Sequence, residues 1–384
     1  MTDDACFALQ KTASQLYHDG RFLESADYYR QARALRPQNL GIAHQEALSL
    51  RDGGDHRGYH RLVGEILAQK PDYAEVRASL AFQLLAEGRF KEAMAHWEAR
   101  LVLPGAKRQD LPERLRWKGR PLTKGSLGFV AEQGLGDTIQ FLRYAPLLRE
   151  MNHQVVLEVA PPLRGLVAAN PHLGPQIPQG ETVSVSRWCH MMDVLALFEH
   201  DFDTIPKHTP YIFAPPSVEV PEPVRRAKTG LRVGIAWAGS ATNPRDRHRS
   251  TRLETFAPLL DLDGVDVFTL SPAPHGLDVA RAGWSDRVID LCPYDLPFEG
   301  TAQIVAHLDL VIAVDTSVIH LAAAMGKPAW VLLSTLPDWR WGFAGDRSPW
   351  YQSVRIFRQT RLGDWGPVMA EVAAALRGWT SPGA

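Results

Sequence analysis

The sequence predicts an α+α/β protein in which a short array of helical repeats precedes two parallel-sheet α/β halves. Three observations carry that prediction. Glycines recur at a 34-residue spacing over the first hundred positions, strand-length apolar runs alternate with helical patterns from residue 126 onward, and a proline-rich stretch divides the alternating region in two.

The bulk properties set the class. A chain of 384 residues, 45% apolar and 22% charged, can bury a large core and is long enough for two or three domains. Its formal charge of -1 provides no global basic footprint for nucleic acid, and no apolar run approaches the ~20 residues of a membrane span. The start, MTDDACFALQ, is acidic and lacks the basic-then-apolar order of a secretory signal, so a cytoplasmic location is expected. Cys6, Cys189 and Cys292 have no paired spacing and read as small buried apolar residues rather than a disulfide framework or zinc site.

The repeat comes first. Gly20-Arg21-Phe22 returns as Gly88-Arg89-Phe90, Gly54 lies midway between them, and Pro37 and Pro71 share the spacing, with Pro104 one residue early. This is the tetratricopeptide period, with glycine at the turn inside each helix pair and proline after the second helix. Three units fit residues 1–106. Stacked units of this kind form a groove that holds a peptide or protein, or they brace the domain that follows.

Residues 107–125 are polar with two prolines and read as a linker. Then LGFVAE, a turn, a helical TIQFLRYAPLLREM and the run QVVLEVA make a βαβ unit. The grammar restarts at 231: LRVGIAWAG, VDVFTL, LDLVIAVD and PAWVLL are strands, with helical RLETFAPLLDL, GTAQIVAHL and SVIHLAAAMG between them. Two Rossmann-like domains are expected, 126–220 and 221–384, with ligands beyond the carboxyl ends of the strands. The last helix, within WGPVMAEVAAALRGW, is expected to dock back on the first of them.

The candidate chemistry sits at those strand ends. In EQGLGDTIQ, Gly134 and Gly136 permit a sharp turn and close approach, Thr138 can help cap the helix, and Asp137 is either an N-terminal cap or a general base. Only the first two glycines of a dinucleotide fingerprint are present. In AGSATNPRDRHRS, Gly239 and Ser240 can offer backbone N–H groups to an anion beside Arg245, Arg247 and Arg249, whose guanidinium groups suit phosphate oxygens; the alternative is a solvated loop pairing with Asp246. In VIAVDTSVIHLAAAMG, Asp315, Thr316 and Ser317 open a helix whose N–H groups can bind phosphate, and His320, one turn on, can reach the same anion or be a core histidine. Lys327 reads as a helix C-terminal charge. Trp339, Trp341, Trp350 and Tyr351 either stack on a ligand at the cleft mouth or pack against the last helix.

Taken together, GLGDTIQFLRYAPLL, WAGSATNPRDRHRS, DTSVIHLAAAMGKP and PDWRWGFAGDRSPWY resemble the heptosyltransferase-like glycosyltransferases of the GT-B fold. The similarity is to the bacterial branch in which tetratricopeptide repeats precede the catalytic module, and it runs from about residue 5 to 375. The resemblance implies an inverting, metal-independent transferase with a nucleotide-diphosphate sugar as donor. It makes Asp137 the base that takes the acceptor proton and puts Arg249 on the donor phosphates, with Ser240, Asp315, Thr316, Ser317 and His320 as further donor contacts. No metal is expected, since no D-x-D pair stands where one would be wanted. Where relatives carry a Ser-Leu-Pro run, this chain has Asp193-Val194-Leu195. Gln133, His190 and Asp193 are the acceptor-side candidates. The repeats are expected to recruit a protein acceptor; a glycan or lipid-linked acceptor, or a non-catalytic scaffold, are the alternatives.

Overall fold

The structure, a computed structural model, describes residues 2–104, 106, 111–151, 154–181, 185–226, 230–243, 245–271 and 275–380. The chain forms two compact units, Met1–Ala106 and Lys107–Ala384.

The first unit contains α1 (Thr2–His18), α2 (Phe22–Leu35), α3 (Leu40–Asp52), α4 (His56–Gln69), α5 (Ala74–Ala86) and α6 (Phe90–Met94). Gly20, Gly54 and Gly88 sit at the turn inside each pair with φ of 76°, 86° and 77°. A Cβ disfavours that left-handed conformation, so the glycine period in the sequence is the period of the turns. Asn39 caps α3 by accepting from the Gly41 and Ile42 N–H groups, and Asp55 caps α4 through Gly58 N–H at 2.8 Å. Ala43, Ala47, Tyr59, Leu62, Ile66 and Val76 fill the space between helices. The third pair is irregular. The Ala95 carbonyl accepts from Arg77 Nη2 at 2.7 Å, while the Ala99 N–H turns to His96 O, so the chain passes into a 3-10 turn over Trp97–Val102.

The second unit opens with β1 (Ser126–Val130), α7 (Leu135–Phe141), α8 (Tyr144–Glu150), β2 (Gln154–Val159), α9 (Arg164–Ala168), β3 (Gln176–Pro178), β4 (Arg187–His190) and α10 (Val194–Leu197). It continues through α11 (Glu222–Arg226), β5 (Leu231–Ala236), α12 (Asp246–Arg249), α13 (Ala257–Leu260), β6 (Val265–Thr269), α14 (Asp278–Arg281) and α15 (Phe298–Ala306). β7 (Leu310–Val314), α16 (Ser317–Ala324), β8 (Ala329–Leu333), β9 (Val354–Arg358) and α17 (Gly366–Arg377) complete it. The strands make two sheets, ordered β3-β2-β1-β4 and β6-β5-β7-β8-β9, and every pairing is parallel. β7 and β8 are buried along their whole length because helices cover both faces, which is why LVIAV and AWVLL carry no polar alternation.

Three expectations are corrected. The final helix α17 docks on its own half, not on the first: Val368, Met369, Val372 and Leu376 share a core with Val233, Leu253, Phe256 and Phe357. Their apolar spacing needs the nearest open sheet face, and the adjoining strand β9 supplies it. Part of the expected linker is packed against β4, since Trp117 N–H donates to Trp188 O at 2.7 Å, Trp188 Nε1 donates to Pro112 O, and Trp117 is buried. The aromatic loop after β8 is neither a cleft-mouth platform nor a partner of α17. Trp339, Trp341, Trp350 and Tyr351 are all buried, and Trp350 meets Phe141 of α7 edge-on, so this loop joins the two halves.

Candidate active site

Residues at and after the carboxyl ends of β5, β7 and β8 border one small cleft, and the turn after β1 is tied to its Asp338 loop by the Asp137–Arg340 ion pair. α7 leaves β1 through Gly134, and Asp137 accepts the Gly134 N–H at 2.7 Å through Oδ2, closing the first turn. The capping role is therefore filled by Asp137, while Thr138 Oγ1 donates back to Gly134 O at 3.2 Å. Asp137 Oδ1 is ion-paired with Arg340 Nη2, and the carboxylate retains 20% exposure. Burial pushes its pKa above the ordinary value, with the Asp338 and Glu132 carboxylates adding to the rise; Arg340 and the Gly134 N–H oppose it.

At Gly136 the helix α7 lies close against α16. A Cβ there would lie 2.8 Å from His320 Cδ2 on α16, so only glycine lets α7 and α16 approach this near. His320 is itself fixed: Nδ1 shares a hydrogen bond with Tyr351 OH at 3.0 Å and the ring stacks on Trp341 at 5.4 Å. Burial, helped by the Arg340, Arg143 and Arg249 cations, holds its pKa well below 6.5. The expectation that His320 joins Thr316 on an anion is thus corrected to a buried neutral imidazole that packs the halves together.

Thr316 caps α16 through Val318 N–H at 3.0 Å, and Ser317 is half-buried at the first helical position. Asp315 lies 3.9 Å from His320 Nε2, and its carboxyl is pushed up to about 6 by burial and by Asp338, against Arg249 and Arg340. Arg249 reaches this same turn: Nη1 donates to Asp315 O at 2.9 Å and Nε pairs with Asp246 at 3.1 Å. Its guanidinium lies over Gly239, where a Cβ would stand 2.4 Å from Nη2. Gly239 N–H is held by Ser250 Oγ at 2.9 Å, which pins the end of β5 to the end of α12.

Asp137, Gly136, Gly239, Arg249, Asp315, Thr316 and Ser317 are therefore brought together. Others stand apart. Ser240 is exposed with its hydroxyl on Thr242, Arg247 is exposed beside His248, and Arg245 joins Arg249, Asp315 and Asp338 around a small cleft. Lys327 donates to Leu308 O at 2.9 Å. On the acceptor side, Asp193 forms a buried ion pair with Arg116 at 3.1 Å and accepts from His190 N–H, and His190 is buried against Trp188. Those contacts make both residues part of the β4 terminus rather than open grips. Gln133 is half-buried in the turn where Glu132 accepts from Met192 N–H. Among the described residues no group of three or more His, Cys, Asp or Glu could hold a metal.

Sequence reasoning passed over Arg340. It is 5% exposed and bound on every side, by Asp137, by Asp338 at 2.6 Å and by Gln140, with Trp339 under the guanidinium at 4.4 Å. The available signal was the WRW run itself, a permanently charged side chain between two large aromatics after a buried strand. Arg143 was passed over too; it is buried and donates to the carbonyls of Gln140, Pro206 and Trp350.

Comparison with known proteins gives a family match over part of the second unit. Residues 260–363 match the model of glycosyltransferase family 9 (heptosyltransferase). Protein FlbA of Caulobacter vibrioides is 27% identical over 337 residues, 80% of this chain, and the chain spans only 55% of that relative. Among solved structures, the ADP-heptose lps heptosyltransferase II of E. coli aligns with 65% of this chain and 98% of its own, at 12% identity and a TM-score of 0.43. The iron-containing dodecameric glycosyltransferase TibC from enterotoxigenic E. coli H10407 aligns with 68% of this chain and 70% of its own, at 14% identity and 0.43. A mutant O-GlcNAc transferase from Thermobaculum terrenum covers 98% of this chain and 92% of its own, at 11% identity and 0.28. The architecture is a helical N-terminal unit followed by a unit with two parallel, Rossmann-like sheets. The match to the glycosyltransferase family 9 (heptosyltransferase) model lies wholly within the second unit.

Proposed function

We propose that the protein is an inverting, metal-independent transferase that moves a sugar from a nucleoside-diphosphate donor to a hydroxyl of a protein acceptor. The observation that carries this reading is the juxtaposition of one half-buried acid, Asp137, with a turn where Arg249 and the N-terminus of α16 meet. An acceptor hydroxyl gives its proton to Asp137 as its oxygen forms a bond to the anomeric carbon. The bond from that carbon to the donor phosphate breaks on the opposite face, and the electron pair leaves with the diphosphate. Arg249 and the N–H groups of the Thr316–Ser317 turn stabilise the departing charge electrostatically, as a divalent ion does in other transferases. Asp315, at the same turn, is suited to hold a sugar hydroxyl.

The helical unit is the part we assign to acceptor recruitment. Its paired helices resemble tetratricopeptide units, and a surface hollow on it is bordered by Arg36, Asn39, Lys70 and Tyr73. Two experiments test the reading. ADP-heptose is the first donor to try, since the matched family is one of heptosyltransferases; a nucleotide at a hundred times its dissociation constant adds about 2.7 kcal/mol of stability, visible as a rise in Tm. Asp137→Asn is expected to reduce ADP release in the presence of acceptor by about 10²-fold or more while leaving that rise intact. Full activity in Asp137→Asn sinks the base assignment. Removal of residues 1–106 should abolish transfer to protein and spare hydrolysis of the donor; persistence of protein transfer removes the recruitment role.

A further inference from the structure

We propose that Arg340 is a positioning residue for the transfer reaction: it holds Asp137 in its ionised form and aims the carboxylate into the crevice. This rests on the reading of Asp137 as the base.

The geometry leaves Arg340 little other occupation. Its Nη2 meets Asp137 Oδ1, its Nη1 meets Asp338 Oδ1 at 2.6 Å, and its Nε meets Gln140 Oε1 on the same helix as Asp137. The guanidinium plane rests on Trp339 at 4.4 Å, and Asp338 also accepts from Arg340 N–H at 3.1 Å. Arg340 therefore grips α7 at two points one turn apart, Asp137 and Gln140, from a loop of the other half. A guanidinium whose N–H groups donate to several fixed acceptors sets direction as well as charge, which a lysine ammonium does poorly.

The charge matters because burial and the neighbouring carboxylates favour the protonated acid. Glu132 in the preceding turn and Asp338 in the facing loop are carboxylates that raise its pKa. His320, packed against Gly136, is held neutral and gives no compensating charge, and Arg249 is turned to Asp315 and Asp246. Burial adds to the same side. Without Arg340, burial and these carboxylates act against the ionised form with one fewer opposing group. The Gly134 N–H, donated to the carboxylate at 2.7 Å, also favours the ionised form.

The test uses the full chain carrying 13Cγ-aspartate, with the Asp137 resonance identified by its loss in Asp137→Asn. An opposite charge in contact ordinarily depresses a carboxylate pKa by about 1–3. In Arg340→Gln the Asp137 titration midpoint is therefore expected to rise by at least about one pH unit, and in Arg340→Lys to stay near wild type. The acid limb of ADP release from ADP-heptose with acceptor should move by the same amount, a roughly tenfold loss on the limb that is recovered at alkaline pH. A midpoint in Arg340→Gln equal to wild type overturns the inference. So does a uniform fall in rate at every pH, the mark of a merely structural role. If Asp137→Asn still transfers sugar, the base reading has failed, and the titration result then stands on its own as a statement about the ion pair.

Discussion

Gly136→Ala is the most revealing single change, because it adds one carbon at the point where α7 and α16 touch. The new methyl would lie 2.8 Å from His320 Cδ2, against about 3.4 Å for ordinary contact, so one element must retreat by roughly 0.6 Å. His320 has little room to yield: it is bonded to Tyr351 OH and stacked on Trp341, and all three side chains are buried. The displacement falls on α7, which carries Asp137. Overpacking costs about 1–3 kcal/mol, offset by the ~0.5–1 kcal/mol that alanine gains over glycine in a helix, so the net destabilisation is about 1 kcal/mol. Activity should suffer more than stability. A misplacement of about 1 Å costs ~10²-fold, and the proportionate share for this shift is about 10- to 20-fold in kcat. Thermal melting and steady-state ADP release from ADP-heptose measure the two effects. A variant that melts higher than wild type and turns over at the full rate would show that the halves do not need this close approach, and the argument from a rigid crevice would go with it.

Two further changes test the surroundings of the site. Asp315 has a folded pKa raised to about 6, so its contribution to stability is fully present below the ordinary carboxylate pKa and is lost as pH rises through about 6. Wild type should therefore lose stability relative to Asp315→Asn between about pH 4 and pH 6; parallel melting curves across that window would contradict the assignment. Arg143→Met removes a buried cation that donates to three main-chain carbonyls on both halves, Gln140, Pro206 and Trp350. Each acceptor left unsatisfied costs about 1–3 kcal/mol, so a loss of at least about 3 kcal/mol in chemical denaturation is expected, and a change below about 1 kcal/mol would refute the clamp.

Much of this protein is written in local patterns. Glycine spacing marks the turns of the helical unit because a left-handed turn excludes a Cβ, and that requirement is local to Gly20, Gly54 and Gly88. The buried runs of β1, β5, β7 and β8, and the glycine, acid and hydroxyl residues at their ends, are legible for the same reason: sheet burial and helix caps are short-range demands. The strands β3 and β4 escaped because they are only three and four residues long, and β9 because VRIFR breaks its apolar run with two arginines.

What a sequence alone determined here is the order of elements and which strand ends gather glycine, acid and hydroxyl residues. Only the tertiary structure decided how those ends are joined: that the loop at 339–351 crosses to α7, that Arg340 takes Asp137, that His320 packs as a neutral ring, and that α17 stays on its own half. The physical reason is range. Propensity, capping and periodicity act over a few residues, whereas the charge and position of Asp137 are set by a guanidinium 203 positions further along the chain.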